Sequence, residues 1–146
     1  MSDVTATLTS LIINSISNHS TLLDSFVVVY AAFVSSLYKI IGIDFAAYFV
    51  QHVVSSYEHY HSVSQDVPGL SSAPENSTDD LEAHKDGKEC SNMLVLVSEL
   101  YNFQVISAGL LFDIIRALLH EDLTEFNVEL LLKLLRSTLY GFSFLL

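Results

Sequence analysis

Apolar residues recur along this chain at helical intervals. Leu8, Leu11, Ile12 and Ile16 fall on one helical face. Asp3 precedes them, and its carboxylate suits a helix N-cap. Asn18-His19-Ser20 interrupts the pattern, and Thr21 is placed to cap a second helix, with Asp24 three residues on. Leu22 to Ile41 is apolar nearly all round, which predicts a helix buried between neighbours. Its run Val27-Val28-Val29 also suits a strand, but the length and the sustained helical period favour a helix. Gly42 is a natural C-terminal stop. Asp44 then starts a third helix whose stripe is Phe45, Tyr48, Phe49, Val53, Tyr57 and Tyr60.

The pattern stops after His61. Residues 62–88 hold Pro68-Gly69, Pro74 and the acids Glu75, Asp79, Asp80, Glu82 and Asp86, which predicts an acidic, disordered insertion. Apolar periodicity returns in three patterns: about Glu89 to Tyr101, about Ser107 to His120, and a helix capped by Asp122 or Thr124 that runs through Leu130 to Arg136. The breaks Asn102-Phe103-Gln104 and Glu121-Asp122-Leu123 are short, so sequential neighbours are expected as antiparallel hairpins. Leu22 to His61 is 40 residues, the length of a HEAT-type helix pair at roughly 40–47 residues. The expected fold is all-α, with HEAT-like stacked antiparallel helix pairs; a plain helical bundle is the alternative.

At 146 residues the chain has room for one domain. A formal charge of -11 and only six basic residues (Lys39, Lys85, Lys88, Arg116, Lys133 and Arg136) argue against a direct grip on nucleic acid. An acidic face suits a basic protein partner instead. Cys90 is the single cysteine, so neither an intramolecular disulfide nor a cysteine-based zinc site is available. The N-terminus lacks the basic start and apolar run of a signal peptide. The apolar segment Ser25 to Tyr38 is 14 residues long, against about 20 for a membrane span, so a core helix is expected there.

Readable chemistry is scarce. The five glycines are scattered and build no phosphate-binding loop or nucleophile elbow. His52 and His59 share a helical face two turns apart, but His61 does not join them and no His-x-x-x-His pair exists. Polar residues on a half-exposed helix end are the plainer account. Cys90 has no specified base. Glu99 and Asp113 sit in apolar runs, either as a buried acid pair or facing solvent, and Asp113 can pair with Arg116 three residues on. The aromatic set Tyr30, Phe33, Tyr48, Phe49, Tyr57 and Tyr60 reads as core packing rather than a base-stacking platform. Ser77 and Thr78 in the insertion are open to phosphorylation. No cofactor or metal is expected.

Two blocks carry a family resemblance. Thr21-Leu22-Leu23-Asp24-Ser25-Phe26-Val27-Val28-Val29-Tyr30-Ala31-Ala32-Phe33-Val34, with Leu37-Tyr38-Lys39-Ile40-Ile41-Gly42-Ile43-Asp44-Phe45-Ala46-Ala47, resembles the MIF4G domain of nucleolar MIF4G-domain proteins, including the fungal branch. Glu99-Leu100-Tyr101-Asn102-Phe103-Gln104-Val105-Ile106 is similar to the next repeat of that domain. The resemblance implies a partial MIF4G, ARM-type superhelix: residues 1–61 as a first helical block, 62–88 as a variable insertion, 89–136 as a second block and 137–146 as an apolar tail outside the family pattern.

It also implies a non-catalytic scaffold that binds a DEAD-box RNA helicase of the initiation-factor-4A type and supports small-subunit ribosomal RNA processing in the nucleolus. RNA is then met only indirectly, or through parts of a full-length protein. The resemblance further implies a truncated domain with exposed apolar ends that favour self-association. The turn Tyr101-Asn102-Phe103-Gln104 is the expected partner contact, because inter-helix turns line the edges of a solenoid. Packing of Tyr101 and Phe103 beneath the turn is the competing expectation. A generic helical interaction module, a non-functional truncated product and, from the mean hydropathy of +0.44, a membrane-associated helical protein are the other function classes.

Overall fold

Six α-helices form the regular structure of the described residues, 3–18, 24–65, 80–120 and 123–145, in a computed structural model. They are α1 (Asp3–Ser17), α2 (Asp24–Ile41), α3 (Ile43–Gln65), α4 (Asp80–Asn102), α5 (Ala108–His120) and α6 (Glu125–Leu145). No strand occurs among the described residues, as the helical periodicity requires. The expected caps at Thr21 and Asp122, and Ser77 and Thr78, lie outside the described residues.

The centre of the fold is α4. Cys90, Met93, Leu94, Val95, Leu96, Val97 and Leu100 are all buried, so this helix is enclosed on every side through its C-terminal half. It packs most heavily against α3 and α6, then α2 and α1. Side-chain hydrogen bonds tie distant segments to its C-terminal half and the turn that follows. Asn92 Nδ2 donates to the Ile16 carbonyl at 3.2 Å, and Ser35 Oγ donates to the Phe103 carbonyl at 3.4 Å.

The helix expected to be buried between neighbours, α2, lies at the periphery. It buries Val27, Ala31, Val34 and Ser35 on one face and turns Phe26, Val29, Phe33, Ile40 and Ile41 outward. Among the described residues it is the one helix long and apolar enough to cross a membrane by length and composition, and 22% of it is buried. Its end is built as expected: Gly42 adopts φ 114°, and its N–H donates to the Tyr38 carbonyl at 2.9 Å. That left-handed φ is one only glycine takes readily.

Elsewhere the periodicity is close to the mark. In α3, Phe45, Phe49, Val53 and Tyr57 are buried, and Tyr48 and Tyr60 are partly so. In α1 the buried face is rotated from the expected one: Thr9, Ile12, Ile13 and Ile16 go in, while Leu11 faces out. Thr124 caps α6, its Oγ1 accepting the Asn127 N–H at 3.2 Å. The helices reach into the expected insertion from both sides, with α3 running on to Gln65 and α4 beginning at Asp80; residues 66–79 lie outside the described residues.

Candidate functional site

The turn from α4 to α5 is a helix C-cap of the Schellman type. The Val105 N–H donates to the Leu100 carbonyl and the Gln104 N–H to the Tyr101 carbonyl, both at 2.9 Å. Gln104 sits at the left-handed position with φ 59°, where glycine is the usual occupant. Val105 packs against the core beside the helix end, as this motif favours.

The four candidate contact residues therefore have unlike surroundings. Tyr101 and Phe103 pack against the core. Asn102 is half-buried, and its Nδ2 donates to the Ser137 carbonyl at 3.2 Å and to the Glu99 carboxylate at 3.3 Å. It is a strut between α4 and α6. Gln104 alone of the four is exposed.

Glu99 stands beside this joint, half-buried. Burial raises its carboxyl above the ordinary 4.5, the Asn102 amide draws it back, and the Asp24 carboxylate raises it further. The folded chain thus holds this proton more tightly than the unfolded chain. Its contribution to stability is fullest at low pH and is lost as pH rises through the folded value. Glu99→Gln keeps an acceptor for Asn102 and is expected to stabilise the fold at about pH 7, with the gain gone near pH 4; urea titrations at the two pH values check this. An equal gain at both pH values would contradict it.

Asp24 also lies 3.9 Å from Lys133 Nζ, across a shallow cleft between the start of α2 and the flank of α6, walled by Glu129, Leu132, Arg136, Ser137 and Tyr140. Glu99 and Asp113 do not come together. Asp113 is exposed, and its carboxylate is 3.6 Å from Arg116 on the surface of α5.

The remaining candidates are distributed through the core and surface. His61 is buried between Tyr57 and Phe126, its Nε2 3.0 Å from Asn127 Oδ1, and so joins α3 to α6. His52 lies over Tyr48, and His59 beside Tyr60. Among the described residues, no three metal-binding side chains come together. Cys90, expected at a helix start, lies well inside α4, where burial pushes its thiol up to about 12; the nucleophilic thiolate is suppressed. Phe49 and Tyr57 of the aromatic set are buried, and Phe33 is exposed. α5 and α6 turn large apolar residues outward, Phe112, Leu119, Leu132 and Leu139 among them, and the sequence marks these as apolar but not as exposed. Their signal is helical spacing on the side opposite each buried stripe.

Residues 1–142 match the MIF4G domain, so the match runs into the tail expected to depart from the family. The chain is similar to "Suppressor of glycerol defect protein 1" of Schizosaccharomyces pombe, with 37% identity over 90% of the chain and 15% of that protein. The Saccharomyces cerevisiae protein of the same name is 36% identical over 90% of the chain and 14% of its own length. "Nucleolar MIF4G domain-containing protein 1" of Homo sapiens is 28% identical over 97% of the chain and 14% of its own length. The chain therefore spans about 15% of the length of the curated relatives it matches. No solved structure matches it. With an all-helical stack built on α4 and the domain matched from residue 1 to 142, this chain belongs to the MIF4G domain family.

Proposed function

We propose that this chain acts as a non-catalytic scaffold that docks a DEAD-box RNA helicase of the initiation-factor-4A type and supports small-subunit ribosomal RNA processing in the nucleolus. MIF4G domains are protein- and RNA-interaction modules, and proteins that carry them are generally non-catalytic scaffolds. The observation that carries the proposal is the family match over nearly the whole chain. The nucleolus is suggested by the name of the human relative. The physical logic is population shift. A clamp that binds one arrangement of a two-lobed motor better than another raises turnover without taking part in the chemistry.

The α4–α5 turn is the proposed contact, with Gln104 as its exposed side chain. Asn102 is a poor probe, since its loss also unties α4 from α6. Gln104→Gly is a clean one: it removes the side chain and suits the left-handed backbone. Purified helicase is expected to be retained by the immobilised chain and to hydrolyse ATP faster in its presence. Gln104→Gly should weaken retention about tenfold with helicity unchanged. No retention of helicase by the unaltered chain would sink the proposal. Unchanged retention by Gln104→Gly would move the contact elsewhere and leave the helicase role standing.

A further inference from the structure

α6 carries two apolar faces. Leu130 and Leu134 face the core with Asn127. On the opposite side Val128, Leu132, Leu135 and Leu139 are 39%, 63%, 42% and 69% exposed. Their spacing is four, three, four, which places them at the d, a, d and a positions of a heptad. An outward heptad seam is the surface on which one helix pairs with another.

The positions that follow each d residue choose the partner. They are Glu129 and Arg136, one heptad apart, opposite in sign and both exposed. In an antiparallel pair of identical helices, these positions face one another across the two-fold axis. Glu129 of one copy then meets Arg136 of the other, twice. A parallel pair makes no such match, because the opposing positions hold Leu131 and Thr138. Net charge also favours this face. The chain carries -11 overall, but Glu125, Glu129, Lys133 and Arg136 along α6 balance. The outward stripe of α2 is interrupted by Ser36 and has no such charge pair beside it.

We propose that α6 pairs antiparallel with α6 of a second copy of this chain, through Val128, Leu132, Leu135 and Leu139, with Glu129 and Arg136 setting the direction. The pair is weak, because four side chains per copy bury well under the about 800 Å² per partner of a standard interface. It is isologous, so it closes at two copies.

Sedimentation velocity on the chain across a concentration series tests this. The expected result is a reversible monomer–dimer equilibrium with no larger species. Glu129→Arg and Arg136→Glu should each raise the dissociation constant about tenfold or more, since each creates two like-charge contacts. Mixing the two variants should restore pairing to the unaltered level. That recovery cannot come from misfolded protein, and circular dichroism of each variant should match the parent. Monomer at every concentration overturns the proposal, including the case where the seam is covered only in a longer chain. Pairing that ignores both charge reversals, or that the mixture fails to restore, overturns it as well.

Discussion

Leu94→Ala is expected to lower the unfolding free energy by about 2–5 kcal/mol, the range for deleting a buried leucine side chain when the surroundings close only partly over the gap. Leu94 has no exposed surface and sits in the helix against which all five others pack. Leu96 and Leu100 are as deeply enclosed on the same helix. The comparison that gives the number meaning is Leu132→Ala. Leu132 is an equal side chain on α6 but mostly exposed, and its loss should fall within about 0.5 kcal/mol. Urea titration of both variants, at a concentration where the chain is monomeric, decides the matter. Similar losses at the two sites would mean that α4 is not the centre of the stack.

The second large effect is expected at Gly141. A Cβ there would collide with the side chain of Asn102, because α6 passes the end of α4 with no room for a methyl group. Asn102 cannot step aside freely, since its amide holds the Ser137 carbonyl one turn earlier on α6. Gly141→Ala is therefore expected to destabilise by about 1–3 kcal/mol, the usual range for overpacking. This runs against helix propensity, by which alanine would gain up to about 1 kcal/mol over glycine. Asn102→Ala removes both the obstacle and the strut. The double variant should then be more stable than the sum of the single losses predicts, by a coupling of about 1 kcal/mol or more. Additive losses would place the two residues out of contact.

The sequence exposed the helices more readily than their ranks. α3 was legible because its apolar stripe has a polar opposite face, so the period showed which side turns in. α2 lies further out than its apolar wrapping predicts, for a physical reason. Hydropathy records what a side chain would lose in water, but not whether a neighbour exists to cover it. α2 is apolar all round and half uncovered. α4 opens with Asp80, Glu82, Lys85 and Asp86, which reads as linker, and its buried residues from Glu89 to Leu100 make it the centre. The C-cap at Gln104 was hidden because glycine, the usual signal for a left-handed residue, is absent there. The proposed partner contact at the α4–α5 turn rests on its place at the edge of a helical stack, since a docking edge needs no distinctive residue type. The structural role of Asn102 depends on a carbonyl 35 residues away on α6, which no local pattern signals.

The position of α4 has a consequence for biosynthesis. A ribosome delivers α1, α2 and α3 before the rod around which they assemble. Until α4 has left the exit tunnel, Ile16, Val27, Phe49 and their neighbours lack the helix against which α1, α2 and α3 each pack most. The nascent chain must wait with its oil-loving sides open, a state that attracts chaperones and punishes a long pause. Synonymous codons that slow translation before residue 100 would lengthen that wait and lower the yield of folded chain, with every amino acid unchanged.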